Sequence, residues 1–322
     1  MMLSMLAEPD DAVTGRLLSR LGGVEMLGLL ESEGKVPGMG RVDAQVWRDR
    51  LSAASRPDEL AGRLRAVEAS GTGVVVPGDR DWPASLGDLY DREPFVLWTR
   101  GAASFLSRPV TDLLTITGSR AATSYGERVA GEIATDLARD GRVVVAGGAY
   151  GIEGAAHRAA LAAGGDTIAI LAGGIDRSYP AGHRDLLDQI AGVGLLVSET
   201  PPGASPTRHR FLARGRLLAA LSNTTVVVEA GARSGARHTA RQAHELDRNV
   251  GAVPGAVTSA ASAGPHQLIG EQRARIVTHA GEIINMLHMR EALLESPQRP
   301  PLGSTLSRDH ARCTGGRDGL SL

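Results

Sequence analysis

Residues 113–120 read LLTITGSR and residues 143–151 read VVVAGGAYG, and these two stretches decide the fold class. In each of them a run of β-branched residues or leucine ends at a glycine-bearing turn, and a helical pattern follows. The same arrangement returns four more times, at 168–174, 195–203, 226–231 and 250–255. Strands that alternate with helices in this way predict a doubly wound, mostly parallel α/β sheet.

The glycine turns are expected to lie together at one edge of that sheet. Ligands of open α/β sheets bind outside the carboxyl ends of the strands, where these turns come. Glycine lets the backbone approach a bound group closely, and a helix that begins behind each turn offers unpaired N–H groups to an anion. The sequence therefore predicts a site for a phosphate-like ligand at this edge.

Composition sets the class of protein. The chain has 322 residues, 42% hydrophobic and 22% charged, which is typical of a soluble globular protein with one large and one small domain. No apolar run reaches the roughly 18 residues of a membrane span, and the start MMLSMLAEPDD has no basic region, so a cytoplasmic protein without a membrane partner is expected. The single cysteine, Cys313, excludes disulfides and a cysteine-based metal cage, and we predict no metal and no cofactor.

The chain divides into three parts. Residues 1–72 carry leucines at helical spacing with a break at Gly22-Gly23, which predicts a small helical accessory domain. Residues 73–288 form the Rossmann-like domain, which opens with two short strands around a proline-containing crossing segment. Residues 289–322 are rich in proline, glycine and serine without periodicity, which predicts a flexible tail and no winged-helix domain.

The first two loops carry the groups best suited to phosphate. In TGSRAATSYG (117–126), Gly118 permits a tight exit, Ser119 offers a hydroxyl and Arg120 a planar fork. A plain turn with a solvated arginine is the alternative. The second loop, GGAYGIEGAAH (147–157), is not G-x-G-x-x-G, and no acidic residue ends the next strand, which disfavours a nicotinamide or flavin. His157 could be a ligand or a base, but it is expected to be a packed helix residue. The candidate residues of these loops are Gly118, Ser119, Arg120, Tyr125, Gly147, Gly148 and Gly151.

The later loops add positive charge. The stretch 208–216 is the most basic of the chain, and its arginines surround Phe211. This arrangement suits a groove that tracks a nucleic-acid backbone with one stacking ring, although a solvated face is the usual meaning of a charge run. The candidate residues here are Gly173, Gly174, Arg177, Arg208, Arg210, Phe211, Arg214, Arg216, Ser234, Gly235 and Thr239. Tyr125, Tyr150 and Tyr179 also follow strands, where they could stack on bases or pack against neighbouring loops.

Catalysis finds little support. The sequence contains no G-x-S-x-G elbow, no H-E-x-x-H motif and no carboxylate pair with an evident base. Glu199 and Glu229 each end a strand, and we interpret them as partners of loop arginines or backbone amides. A protein that is not an enzyme is expected.

Together these motifs resemble a known family. The ordered series TGSRAATSYG, VVVAGGAYGIEGAAHRAAL, IAILAGGIDRSYPAGHRDLL, LLVSETPPG and RHRFLARGRLLAALSNTTVVVEAGARSGARHTA is similar to the DNA-processing protein A family, also called Smf. The resemblance runs from about residue 77 to residue 269, and the helical N-terminus resembles the small accessory domain of the family, of the SAM or helix-hairpin-helix type.

The resemblance implies an extended Rossmann domain that binds and protects single-stranded DNA. It further implies transfer of the strand to the RecA recombinase in natural transformation, a homodimer, and no catalysis. By position, Ser119 and Arg120 would hold a phosphate, while Arg210, Arg214 and Arg216 would line a positive pocket. Ser234, Gly235 and Thr239 would complete that pocket.

This chain departs from the family pattern at several positions. Tyr150 and Glu153 stand where G-x-A-R-G-I-D has arginine and aspartate, and Gly215 replaces the asparagine of R-N-R. The loop after Gly255 lacks the usual asparagine and shows Pro265-His266-Gln267. Two other functions stay open. One is a nucleotide-handling enzyme similar to the LOG-type phosphoribohydrolases, although EAGARSGARHTARQAHE lacks their P-G-G-x-G-T pattern, and the other is a nucleotide sensor.

Overall fold

A nine-stranded sheet forms the centre of the molecule. The structure, a computed structural model, describes residues 1–52 and 57–295. The strands are β1 (Gly73–Val75), β2 (Leu97–Gly101), β3 (Leu113–Thr117), β4 (Val143–Gly147), β5 (Thr167–Leu171), β6 (Leu195–Ser198), β7 (Thr224–Val227), β8 (Asn249–Ala252) and β9 (Arg275–Ile276). Their order across the sheet is β1-β2-β6-β5-β4-β3-β7-β8-β9. Strands β3 to β9 pair in parallel, whereas β1 and β2 are antiparallel additions at one side. The predicted doubly wound, mostly parallel sheet is confirmed.

Eleven α-helices belong to the described residues. They are α1 (Met2–Leu6), α2 (Ala12–Glu31), α3 (Arg41–Ser52), α4 (Pro57–Ala69), α5 (Ser124–Arg139), α6 (Ile152–Ala162), α7 (Arg184–Val193), α8 (Arg208–Leu221), α9 (Gly235–Glu245), α10 (Ala263–Gly270) and α11 (Ala280–Glu295). Helix α11 continues past the predicted boundary at 288 to Glu295, and the rest of the predicted tail, 296–322, lies outside the described residues. Among these helices, none combines the length and the apolarity needed to cross a bilayer.

Alternation along the strands explains the two helical layers. In β4, Val144 packs with α5 and α6, while Val143 and Val145 point to the opposite face, where α8 packs. The same period of two divides β5, whose Ile168 and Ile170 contact the α8 side. Helices α5, α6, α7 and α11 therefore cover one face, and α8 and α9 cover the other.

The N-terminal helices have a core of their own and also contact the sheet. Leu17, Met26 and Trp47 are buried together, and the Trp47 indole donates a hydrogen bond of 3.0 Å to the hydroxyl of Thr14. Helix α2 bends at Gly22, whose φ of 76° lies in the left-handed region, at the break that the sequence predicted. Apolar side chains of α1 and α4 join the cluster formed by β2, β5, β6 and α7.

The crossover that defines a doubly wound sheet lies at β3. The chain moves from β3 to β6 in one direction, then returns to the other side of β3 to form β7. The loops that follow β3 and β7 consequently face each other across a crevice at the carboxyl edge. Helix α8 enters the layer beside this crevice, so its N-terminal arginines reach the same edge.

Candidate nucleic-acid interface

Three adjoining cavities at the carboxyl edge share one corner, formed by Arg120 and Phe211. The guanidinium carbon of Arg120 lies 4.1 Å from the centroid of the Phe211 ring, within cation–π distance. The Tyr179 ring lies 5.8 Å from the same ring in a tilted arrangement. An exposed positive charge and two rings thus meet where the three cavities join, a combination that suits a phosphate next to a base.

Each cavity has a distinct lining. The inner pocket, about 80 Å³ in volume, is bounded by the loops after β4 and β5, including Gly148, Tyr150 and Gly173. The outer groove, about 660 Å³, lies between the starts of α8 and α9. The floor, about 430 Å³, lies in the crevice between the loops after β3 and β7, and Gly118, Ser119, Ser234, Gly235 and Thr239 line it.

Exposed arginines without a carboxylate partner dominate this edge. Within the described part of the chain, the guanidinium groups of five cavity-lining arginines form no ion pair or hydrogen bond; they are Arg120, Arg177, Arg208, Arg233 and Arg241. Among the described residues that line the three cavities, the one carboxylate is Glu153. The edge therefore carries uncompensated positive charge, which attracts a polyanion.

The three arginines predicted to line a positive pocket are all ion-paired. Arg210 donates to both carboxylate oxygens of Glu8, at 2.9 and 2.7 Å, and lines none of the three cavities. Arg214 lines the floor, but its Nη2 lies 3.1 Å from Glu153, so its charge is matched there. Neither residue supplies the free charge that the resemblance implied.

The prediction for Arg216 was wrong. Its side chain is fully buried, with 0% exposure, and its fork donates to both oxygens of Glu199 at 2.7 Å. Its Nε donates to the carbonyl of Arg92 and lies 3.2 Å from Asp10. Burial requires that every N–H of a guanidinium find an acceptor, and the fold provides these internally, so Arg216 cannot contact a ligand.

Side chains of the protein cap three of the helix starts at this edge. The carboxylate of Glu229 accepts from the backbone N–H and the hydroxyl of Thr123, at 2.9 and 2.6 Å, in front of α5. Thr207 caps α8 and Ser234 caps α9 through their hydroxyls. One first-turn amide of each of these helices, that of Gly126, Arg210 and Ala236, therefore already has a partner. Helix α6, whose N-cap is Gly151, has no side-chain cap.

Several predicted glycines serve loop packing. A Cβ on Gly147 would collide with Arg214 and Glu153, and Gly151, with φ at 73°, leaves no room for one beside the carbonyl oxygens of Ser119 and Arg120. Gly174 is enclosed in the same way by the 201–203 turn. None of these three lines the cavities, whereas Gly118, Gly148, Gly173 and Gly235 do.

The tyrosines separate into two groups. Tyr150 and Tyr179 line the inner pocket, and each is about half exposed. Tyr150 also meets the His183 ring edge-on, with centroids 4.6 Å apart. Tyr125 instead donates its hydroxyl to the carbonyl of Pro254 and lies outside the three cavities, so the structure does not bring it into the site.

Buried polar groups beneath the site have structural roles. Burial lowers the pKa of His157 to about 4, and its ring nitrogens meet Thr167 and the carbonyl of Gly147, which confirms the packed histidine. The predicted roles of Glu199 and Glu229, as partners of an arginine and of a backbone amide, are also confirmed. No three His, Cys, Asp or Glu side chains of residues 1–52 and 57–295 are grouped to hold a metal ion.

Three residues of α9 are missing from the predicted set. Arg237, His238 and Arg241 line the outer groove. Burial, then the charges of Arg92 and Arg241, lower the pKa of His238. The spacing of Arg233, Arg237 and Arg241, four residues apart, was a signal in the sequence for one helical side.

Comparison with known proteins decides the family. The family model described as DNA recombination-mediator protein A matches residues 73–288. The chain belongs to that family. The sequence resemblance is thereby confirmed, and the family match extends over the whole sheet.

Relatives in the family match most of the chain. The putative DNA processing protein DprA of Mycobacterium tuberculosis H37Rv is 43% identical over 307 residues, which cover 92% of this chain and 76% of that protein. The DNA processing protein DprA of Bacillus subtilis is 34% identical over 259 residues, which cover 78% of this chain and 86% of that protein.

Two solved structures of the family have the same fold. The X-ray structure of DNA processing protein A from Streptococcus pneumoniae aligns with a TM-score of 0.72 at 28% identity, covering 88% of this chain and 94% of that one. The protein from Helicobacter pylori aligns with a TM-score of 0.61 at 28% identity, covering 69% of this chain and 98% of that one. The latter structure concerns the single-stranded DNA binding mode of the H. pylori protein.

Proposed function

We propose that this protein binds single-stranded DNA at the carboxyl edge of its sheet, through the corner of Arg120 and Phe211. The observation that carries the proposal is the set of five exposed, unpaired arginines around two rings, with one matched carboxylate among the lining residues. Guanidinium groups hold backbone phosphates, and rings accept unstacked bases without regard to sequence. Family membership and the binding mode described for the H. pylori protein support the same ligand.

We further propose that the protein protects the bound strand and transfers it to the RecA recombinase in the cytoplasm. The family description as a recombination mediator supports this role, and a homodimer is part of the proposal. Protection is measured as survival of labelled oligo-dT in a single-strand nuclease. Transfer is measured as RecA filament growth on strands coated with a single-strand-binding protein, and light scattering in solution gives the oligomeric state.

The central test is a panel of arginine variants. Arg120→Ala, Arg208→Ala and Arg233→Ala should each weaken binding of oligo-dT, measured by fluorescence anisotropy, by roughly tenfold because a charge-assisted contact is lost. Each should also lower the slope of log affinity against log salt by about 0.7, the value for one phosphate of a single strand.

The matched control is Arg139→Ala. Arg139 is 72% exposed at the C-terminal end of α5, at the opposite edge of the sheet, so its loss should leave affinity and salt slope unchanged. Equal effects at Arg139 and at the groove arginines would show that binding is diffuse, and the proposed site would be abandoned.

Binding without catalysis is also part of the proposal. Glu153, the carboxylate of the floor, accepts hydrogen bonds from Arg214, from the Thr117 hydroxyl and from the amide of Ala149, and a carboxylate matched by a cation in this way is poorly suited to act as a base. Incubation with nucleoside monophosphates should release no free base. Release at catalytic rates, lost in Glu153→Gln, would favour a phosphoribohydrolase.

A further inference from the structure

Helix α9 gives the outer groove a second row of positive charge. Arg237 and Arg241 are separated by one turn, about 6 Å along the helix, and both face the cavity that begins at Arg120 and Phe211. Arg233 precedes the helix on the same side, and Arg208 of α8 lies across the groove. The charges therefore continue away from the corner in one direction.

The partners of Arg237 hold its side chain along the groove. Its Nη1 donates to the carbonyl of Ala232, and its Nη2 lies 3.4 Å from Glu271, which fix the side chain along the groove. Its Nε is buried and has no hydrogen-bond partner among the described residues. Arg241 is exposed and has no carboxylate partner there. One arginine is thus held in place, and the next is free to move onto a ligand.

Carboxylates mark where this row ends. Arg92 donates to both oxygens of Asp10, at 2.7 and 2.9 Å, and to the side chain of Gln242, the residue after Arg241. Glu8, two residues before Asp10, holds Arg210. Past Arg241 the neighbouring arginines, Arg92 and Arg210, already have these carboxylates as partners, so the row of free guanidinium groups ends there.

We propose that a bound single strand extends from the corner of Arg120 and Phe211 along α9, with backbone phosphates at Arg233, Arg237 and Arg241, and ends before Asp10. The inference rests on the proposed function and adds the direction and length of the strand. Arg237 and Arg241 lie about 6 Å apart along α9, about two nucleotides at the ~3.4 Å spacing of stacked bases, and Arg233 precedes the helix. The ligand is an extended polyanion, and a mononucleotide would not use this row.

The test compares short and long oligonucleotides. Competition anisotropy with dT3 and dT12 is measured for the full chain and for Arg241→Ala, Arg241→Lys and Arg237→Ala. We expect Arg241→Ala to weaken the binding of dT12 by about fivefold to tenfold and to lower the salt slope of that binding by about 0.7. The binding of dT3 should not change. Arg241→Lys should restore most of the loss, because a lysine still supplies the charge.

Controls separate this inference from the proposed function. Arg120→Ala should weaken the binding of both oligonucleotides, and Arg139→Ala should weaken the binding of neither. If the unaltered protein binds neither, the proposed function fails. If it binds dT12 and Arg120→Ala weakens it while Arg241→Ala changes nothing, the path along α9 is wrong and the corner site stands. Arg241 is exposed and unpaired, so loss of folding does not confuse the result; Arg237, whose side chain is 16% exposed, serves as the second variant.

Discussion

Arginines of one helix have opposite roles in this protein, and the difference lies in their partners. Arg208 is exposed at the groove, whereas Arg216, two turns later on α8, is completely buried against Glu199. In the sequence the two arginines look alike, because both belong to the basic stretch 208–216. The carboxylates that hold the paired arginines of this stretch lie outside it: Glu199 is 17 residues from Arg216, and Glu8 is 202 residues from Arg210. Sequence reasoning could therefore locate the basic stretch but could not tell which charges are free.

Replacement of Arg216 tests the buried pair. Arg216→Met leaves Glu199 buried without its counter-ion, which typically costs about 3–5 kcal/mol of unfolding free energy. The expected result is a strong loss of stability in urea denaturation. The double variant Arg216→Met, Glu199→Leu should recover much of that loss, because no uncompensated charge remains. If the free energy of unfolding of Arg216→Met lies within about 1 kcal/mol of that of the unaltered protein, the assignment of a structural pair is contradicted.

At the scale of the elements, the sequence predicted the strands but not the contacts made by the loops that follow them. Six apolar runs with glycine turns predicted β3 to β8, since a buried parallel strand is apolar on both faces. The loops were predicted to present free amides at helix starts. The structure places Glu229 in front of α5 instead, a tertiary contact between residues 106 positions apart. The amide of Thr123, just before α5, is therefore engaged by a residue that the local sequence does not identify.

Helix α9 should make binding dependent on pH. In the free protein His238 has a lowered pKa, because it is partly buried and faces Arg92 and Arg241, with Glu245 and Asp10 acting in the opposite sense. A phosphate in the outer groove would raise that pKa, so binding takes up a proton and affinity rises as the pH falls.

The measurement is the affinity for dT12 between pH 8 and pH 6. We expect His238→Gln to flatten the rise and to keep the affinity at pH 8, since the neutral ring carries no charge there. An identical pH profile in His238→Gln and in the unaltered protein would exclude His238 as the titrating group.

At the scale of the whole molecule, acidic residues of the N-terminal segment connect the helical region to the sheet. Asp10 contacts both Arg92 and Arg216, and Glu8 contacts Arg210. The sequence predicted a helical region before residue 73 and a sheet after it, because helical and strand periods are local. It could not predict how they join, because that depends on single charge pairs between distant positions.

Loss of Asp10 should loosen this connection. In Asp10→Ala, Arg92 loses two hydrogen bonds and Arg216 one neighbouring carboxylate, while the pair with Glu199 persists. We expect the free energy of unfolding to fall by only about 1–2 kcal/mol, because Arg92 is partly exposed to solvent. We also expect earlier cleavage within residues 1–72 in limited proteolysis. Asp43→Ala, in the same helical region, is the matched control. Unchanged cleavage in Asp10→Ala would show that apolar packing alone holds the two parts together.

The way α1 and α4 pack has a practical consequence for dissecting this molecule. Met5, Leu60 and Val67 share a cluster with Val96 and Trp98 of the sheet side. A fragment limited to residues 73–288, which match the family model, would expose the apolar side chains of that cluster. It would also deprive Arg92 and Arg216 of their contacts with Asp10. Such a fragment would be prone to self-association. Non-specific binding observed with it would therefore reflect the newly exposed apolar surface and not the intact protein's affinity for DNA.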